Sequence, residues 1–444
     1  QVLDKGLIVY QLGGWAAPWG IEYRIDILSA FVLLIVSGIG AVVMPYSWTS
    51  VKNEIAQERT YLFYCMILLC MTGLLGIVIT GDAFNLFVFM EISSLASYVL
   101  ISFGQDRRAL VAAYRYLIIG TIGATFYMIG VGFLYASTGT LNIFDLSQLV
   151  PVISTSRTVK AALAFFTVGL GIKLALFPMH MWLPNAYTFA PSAVSVFLAA
   201  TATKVAVYAL IRIVFTIFSG VEILEILPIR GLLIAMAAMA MIYGSIQAIY
   251  QINVKHILAY SSIAQIGYMV LGLSFDNATG IAAGAIHLFN HALTKGSLFM
   301  VLGAVMYRVG SVQLHDMAGL GKSMPLTMAA FFIASLSLIG IPLTVGFVSK
   351  WYFIQAAVEK GWWPIAILIV ITSLLAVVYV WRVIEVIYFT PANPESGEVR
   401  EAPTSLLLPT WVLLGAVIYF GIDATTALNI AISAADALLA GGGS

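Results

Sequence analysis

Charge is scarce in this sequence. Only 9% of its 444 residues are Asp, Glu, Lys or Arg, against about 25% in an ordinary soluble domain. The formal net charge is +1, which leaves no basic face for a nucleic-acid partner. Cysteine is nearly absent. Cys65 and Cys70 share one apolar run and read as packing residues, with no disulfide framework and no Cys-x-x-Cys pair. There is no Walker A loop, and GLGIKL lacks the third glycine and the preceding strand of a dinucleotide site. No Cys/His set is spaced for an iron–sulfur cluster or a haem. These absences argue against ATP-driven transport and against redox chemistry carried by the chain itself. No cofactor and no metal is expected.

Apolar surface is what the chain has in excess. Hydrophobic residues make up 61% of it, and the mean hydropathy is +1.01. No soluble fold hides that much, and disorder needs the opposite balance. The apolar segments are long and continuous rather than short and alternating, which excludes a transmembrane β-barrel. The expected fold class is an all-α polytopic membrane protein.

A helical span needs about 20 mostly apolar residues. Twelve candidates lie near 25–46, 60–80, 83–103, 109–137, 161–183, 191–219, 230–250, 255–275, 279–307, 325–358, 363–390 and 405–437. Polar or turn-rich pieces separate them at 47–59, 103–108, 151–160, 251–255 and 391–403. Two spans carry breakers. The fifth reads GIKLALFPMHMWLPNA, with Pro178 and Pro184; the tenth reads LSLIGIPLTVGFVSKWYF, with Gly340 and Pro342. Proline removes a backbone donor, and a bilayer tolerates that as a simple kink or where the freed backbone lines protein or a wet path. GTLNIFDL (139–146) also matches GSVQLHDM (310–317) at an offset of 171. Five helices separate the two segments, and an odd number inverts the second copy, an arrangement of transporters.

Loop charge hardly sets the orientation. Loops after odd-numbered spans hold Lys52, Arg59, Arg107, Arg108, Lys255, Lys322 and Arg400; the other side holds Lys5, Arg24, Arg157, Lys160, Arg230 and Lys360. Residues 1–24 read as an extracytoplasmic lead-in and 25–390 as the membrane domain, with repeat one at about 60–219 and repeat two at about 230–390. Residues 391–440 read as a loop and C-terminal helix, and 441–444 (GGGS) as a linker.

The informative residues are charges inside the apolar spans, each costing about 2.5–3.5 kcal/mol at mid-bilayer. They are Glu91, Lys173, Lys204, His287, His291, Lys295 and Lys350, with Arg115 near the start of the fourth span. Such groups must turn inward, pair or touch water. One acid with several lysines and histidines suggests a chain of titratable sites. Burial disfavours an ammonium, so lysine can be brought into working range, whereas arginine cannot. His287, His291 and Lys295 step by four and share one helical stripe. That stripe fits a relay or a polar cluster that glues helices. A zinc site is disfavoured by the missing HExxH glutamate and the lysine one turn on. Glu91 reads either as a static counter-ion or as part of the relay. Asp82, in ITGDAFN, reads as a helix cap.

TGDAFNLFVFMEISSLASYVL, GIKLALFPMHMWLPNAYTFAPSAVSVFLAATATKVAVYALIR, HILAYSSIAQIGYMVLG, AIHLFNHALTKGSLF and GIPLTVGFVSKWYF resemble the antiporter-like subunits of Mrp-type sodium/proton antiporters, respiratory complex I and membrane-bound hydrogenases. The match runs in order from about residue 12 to about residue 390. TGDAFNLFVF looks most like the D-type component of the Mrp antiporter and its hydrogenase relatives.

The resemblance implies fourteen helices with two inverted five-helix repeats and a broken helix in each. The spans here would then be helices three to fourteen, with the first two missing from the sequence. It implies that loops 47–59 and 103–108 face the cytoplasm of a prokaryotic inner membrane. Residue by residue, Glu91 matches the family's helix-five glutamate, Lys173 the broken-helix lysine and Lys204 the lysine of the next helix. His287 and His291 match helix-eleven positions, and Lys350 the helix-twelve ionisable residue. The implied role is a Glu91–Lys173 gating pair and a proton path through Lys204 and His291 to Lys350, within a complex of other membrane subunits that moves H+ and exchanges a cation such as Na+. A proton-pumping subunit of a complex I-like or hydrogenase assembly is the alternative. An organic-solute carrier would need a midplane pocket without serial lysines, and a structural subunit would tolerate loss of Glu91. An enzyme acting alone is not expected.

Overall fold

The computed structural model describes residue 2 and residues 6–219, 229–392 and 399–440. Lys5, residues 393–398 of the loop read at 391–403, and the terminal 441–444 lie outside the described residues. The lead-in is a hairpin in which β1 (Ile8–Gln11) pairs antiparallel with β2 (Glu22–Ile25), Ile8 opposite Ile25. Trp15 and Trp19 between them are exposed.

The first half continues with α1 (Ile27–Glu54), α2 (Thr60–Ile79), α3 (Ala83–Ser102), α4 (Arg107–Thr138), α5 (Ile143–Val152), α6 (Arg157–Lys173), α7 (Leu183–Phe189), α8 (Ser192–Ala200) and α9 (Ala202–Arg212). The second half holds α10 (Ile229–Tyr250), α11 (Val254–Ser274), α12 (Ala278–Val309), α13 (Pro325–Ile339), α14 (Val345–Glu359), α15 (Trp363–Phe389), α16 (Thr404–Ile422) and α17 (Thr425–Leu439). Among the described residues, ten helices are long and apolar enough to cross a bilayer, with Ser192–Ile217 taken as one. The fifth and tenth spans are the interrupted pairs α6/α7 and α13/α14. α6 ends at Lys173, and the chain turns through Ala175 at φ 59 before α7. α13 ends at Gly340, whose φ of 93 favours glycine.

Two sequence expectations need correction. The last candidate, 405–437, is not one helix: Asp423 and Ala424 divide α16 from α17, and Asp423 accepts a bond from the Thr425 N–H at 3.1 Å. α17 then buries Ala427, Ala431, Ala434 and Leu438 on one face. Cys65 is exposed, while Cys70 alone is packed inside, 3.3 Å from the Ser97 hydroxyl.

The repeat is written into the backbone. An antiparallel bridge joins Asp82 to Asn142, and 171 residues later another joins Asn253 to Gln313. The flanking bonds recur in register: Ala83 N–H to Leu141 O (2.8 Å) and Val254 N–H to Val312 O (3.0 Å), then Ile143 N–H to Gly81 O and Leu314 N–H to Ile252 O (both 2.8 Å). Asp82 caps α3 through the Asn85 N–H at 2.6 Å, and Asn253 caps α11 through the His256 N–H at 3.3 Å. α4 and α12 both run 32 residues and both end on a left-handed glycine, Gly139 and Gly310. Gly73 and Gly244 let α2 meet α3 and α10 meet α11; a Cβ there would lie 2.5 Å from Ser93 N or 2.8 Å from Ala264 N. Five crossings per copy reverse the second relative to the first.

Connectors sort onto two faces. Asn53, Gln105, Ala190, Lys255 and Ser311 line one cavity of about 450 Å³, so the connectors after odd-numbered spans gather there. This is the odd-loop face. A second cavity, of about 120 Å³, is lined by Asp26, Gly81, Phe144, Thr216 and Leu438, which gathers the opposite ends at the hairpin face. On the odd-loop face the Arg108 guanidinium hydrogen-bonds Asp106 and holds its carboxyl below the ordinary value.

Candidate functional site

Charged groups recur near the middle of the third, fifth, sixth, ninth and tenth spans and face inward. α6 stops at Lys173, so its ammonium lies where the helix has ended. It donates to Glu91 Oε1 at 3.0 Å and to Ser94 Oγ at 2.8 Å, both on α3. Lys173 is 4% exposed by side chain and Glu91 20%, so the acid keeps an outward opening. Ser93, Ser94, Ser97, Tyr116 and Lys173 line a cavity of about 30 Å³ whose far wall is Ala202 and Ala206 of α9. That is room for water between Lys173 and the next helix.

Lys204 is fully buried. Its support comes from the break at Thr201 (φ −124, ψ −55), which releases carbonyls at the end of α8. The Tyr187 hydroxyl takes Leu198 O at 3.1 Å, and the Lys204 ammonium takes Ala199 O. Helix C-termini are favourable for cations. Among the described residues Lys204 has no carboxylate partner, and its field reaches His291 and Lys295.

The α12 stripe continues the line. Lys295 donates to Leu258 O at 2.8 Å and to the Ser261 hydroxyl. His291 stacks on His287 with ring centroids 5.9 Å apart. Among the described residues neither His291 nitrogen has a partner. They border a cavity of about 10 Å³ shared with His287, Asn290, Thr294 and Lys350, about the room of one water. His287 bonds Gln265 Oε1 (2.9 Å) and Ser349 Oγ (2.8 Å).

Lys350 begins on α14 and reaches back to the end of α13, donating to Leu338 O at 3.2 Å and Ile339 O at 2.6 Å. Its ammonium lies 5.3 Å from the centre of the Tyr268 ring. Carbonyls orphaned by the GIP break thus hold the charge.

Glu91, Lys173, Lys204, Lys295, His291, His287 and Lys350 therefore run through the interior in that order, linked by bonds, by small polar cavities or by mutual fields. No group of three or more His, Cys, Asp or Glu side chains suited to a metal occurs among the described residues. Arg115 departs from expectation: it is exposed on the outer face of α4, two turns from Arg107, where a long side chain can bring its charge to the interface. Asp82 is the cap expected of it.

Several contributors left no mark in the sequence. Ser94, Gln265 and Ser349 are ordinary polar residues until folding sets them beside charges. Lys255 reads as a loop cation yet is 2% exposed, with its ammonium 3.3 Å from Ser192 Oγ. His180, within PMHMW, is 3% exposed with both nitrogens unpartnered among the described residues. A lone histidine in a proline-broken span is the signal that could have found it.

With this geometry in place, comparison with known proteins becomes specific. Residues 80–376 match the family model described as NADH:quinone oxidoreductase/Mrp antiporter, transmembrane. The chain is 44% identical over 425 residues to the N-type subunit of the NADH-quinone oxidoreductase of Desulforudis audaxviator, covering 93% of this chain and 84% of that protein. It is 32% identical over 445 residues to the D-type subunit of the Na(+)/H(+) antiporter of Bacillus subtilis, covering 99% and 87%. A chain in the structure of the Mrp complex from Dietzia sp. DQ12-45-1b superposes with TM-score 0.91 at 27% identity, covering 99% and 88%. A chain of the archaeal membrane-bound sulfane sulfur reductase superposes with TM-score 0.91 at 33% identity, with the same coverage.

Proposed function

This chain belongs to the NADH:quinone oxidoreductase/Mrp antiporter transmembrane family, and we propose that it is the proton-translocating subunit of a multisubunit cation (Na+)/H+ antiporter. The observation that carries this reading is the interior series from Glu91 to Lys350, in which four lysines and two histidines are buried with a single carboxylate among them. A structural role needs pairs, and buried pairs add little stability even when complete. A relay needs sites that exchange protons at similar cost, which is what carbonyl-supported lysines provide.

Glu91 and Lys173 act as the gate. While paired, Lys173 holds its proton. When the pair opens, the ammonium loses its counter-ion and passes the proton across the water-sized space to Lys204. His291 and His287 carry it on to Lys350, with Lys295 tuning the field. The titrations are coupled, so a charge change at one end moves protons at the other. Other membrane subunits cover the Glu91 opening. The assembly sits in the cytoplasmic membrane of a prokaryote with the odd-loop face inward, repeat one at about 60–219 and repeat two at about 230–390. This chain is a transporter component rather than an enzyme.

A redox-driven complex with the same axis is the second reading, favoured by the 44% identity to the N-type relative. Mass spectrometry of the gently solubilised assembly separates them: only small membrane subunits for the antiporter, iron–sulfur subunits for the redox machine. The axis itself is tested by Lys173→Ala, which is expected to assemble and to transport nothing. A fully active assembled variant would overturn the reading.

A further inference from the structure

α9 carries Lys204, Tyr208 and Arg212 at spacings of four, one stripe running from the buried lysine toward the hairpin face. The far end opens on a cavity. That hairpin-face cavity of about 120 Å³ is lined by Arg24, Asp26, Thr80, Tyr208, Arg212 and Thr216, room enough for water. Tyr208 lies one helical turn from Lys204, so the cavity gives a path from the hairpin face that ends about a turn short of the lysine. Down that path Tyr208 can relay a proton, its oxygen accepting one as it releases another to the cavity. A proton on Lys204 has a short exit that bypasses the histidines and Lys350.

We propose that Arg212 closes this exit as a fixed electrostatic plug, which makes it an insulating residue for the transport reaction. Arginine keeps its charge in proteins, and a positive group at a constriction repels protons. Arg212 is held from every side: Nη2 meets the Asp26 carboxylate and the Ser29 hydroxyl (2.9 Å), and Nε donates to the Tyr208 hydroxyl at 2.8 Å. Tyr208 in turn donates to Val78 O at 2.8 Å. The pair is polarised across the neck. The Arg212 side chain is 9% exposed and that of Asp26 34%, so the guanidinium is the deeper end of a pair that is neutral by count.

The inference rests on Lys204 carrying a proton, so the test separates the two. The assembly purified from membranes is reconstituted in liposomes, and passive proton flux is followed with an enclosed pH dye under a potassium diffusion potential. Arg212→Gln should leak roughly tenfold or more faster than wild type, the scale of removing one like charge nearby. The leak should persist with Lys350→Ala and vanish with Lys204→Met. Arg212→Lys, whose ammonium can release its proton, should be tighter than Arg212→Gln yet leakier than wild type. Should Arg212→Gln not assemble, Ser29→Asp decides, since it sets a second carboxylate on the guanidinium, leaves the cluster net negative and should leak likewise. An assembled Arg212→Gln or Ser29→Asp variant as tight as wild type overturns the plug. If Lys204→Met alone leaves driven transport intact, the axis reading fails instead.

Discussion

Lys350 is a buried ammonium held without a carboxylate. Its partners are two main-chain oxygens at the end of a helix, and that end exists because Gly340 turns the chain at φ 93. A Cβ on Gly340 would come within 2.7 Å of Lys350 Cδ. Gly340→Ala is therefore expected to lower stability by about 1–2 kcal/mol and to unseat Lys350; thermal melting and driven proton flux should fall together. At the gate, Ser94→Ala removes one of the two side-chain oxygens bonded to Lys173. A hydrogen bond to a charged group is worth about 1.5–3 kcal/mol, so transport should drop about tenfold with assembly intact, and Ser94→Thr should recover it. The charged residues of the line were legible because an ionisable group in an apolar run is costly unless it is paired, glued into a polar cluster or used. Ser94 and Gln265 were not, because a serine or glutamine gains meaning only from a contact made by folding. Arg115, noted beside the line and not placed in it, lies on the outer face of α4, where its length lets it reach the interface.

At the scale of elements, the breaks were legible and their partners were not. Proline and glycine mark where α6 and α13 stop, but no pattern shows that Lys350 bends back onto α13 while Trp182 Nε1 takes Ile172 O at 2.9 Å in the equivalent place. The α16–α17 division was missed because the polar break, Asp423 with Thr425 and Thr426, is short and carries neither proline nor glycine after Gly421. The repeat left an eight-residue trace in sequence, whereas the structure repeats caps, bridges and glycine contacts at one offset. That correspondence pairs Asp82 with Asn253. Burial pushes the Asp82 carboxyl up, and bonds from the Asn85 and Phe84 backbone only partly offset this. A carboxyl raised in the folded state costs stability as pH climbs through its folded value. Asp82→Asn should therefore melt at or above wild type near pH 7–8, with the difference closing toward about pH 4. Asp82→Ala, which loses the cap, should cost about 1 kcal/mol.

Across the whole molecule, a cavity opens on each of two opposite faces, and the line of charges lies in the interior between them. The all-α membrane class, the twelve crossings and the inverted halves were readable from hydropathy and spacing, because the bilayer sets span length so strictly. The interior order of the site was not, since it depends on which helix packs beside which. Lys204 is the joint of that order: its helix, through Ala202 and Ala206, walls the cavity beside Lys173, and its field reaches His291 of α12. It is fully buried, so a side chain of similar length and no charge fits its place. The most direct measurement is driven proton uptake into vesicles carrying the assembly with Lys204→Met. The account predicts a fully assembled, heat-stable complex with no proton movement above background. Proton uptake at the wild-type rate in that variant would contradict it.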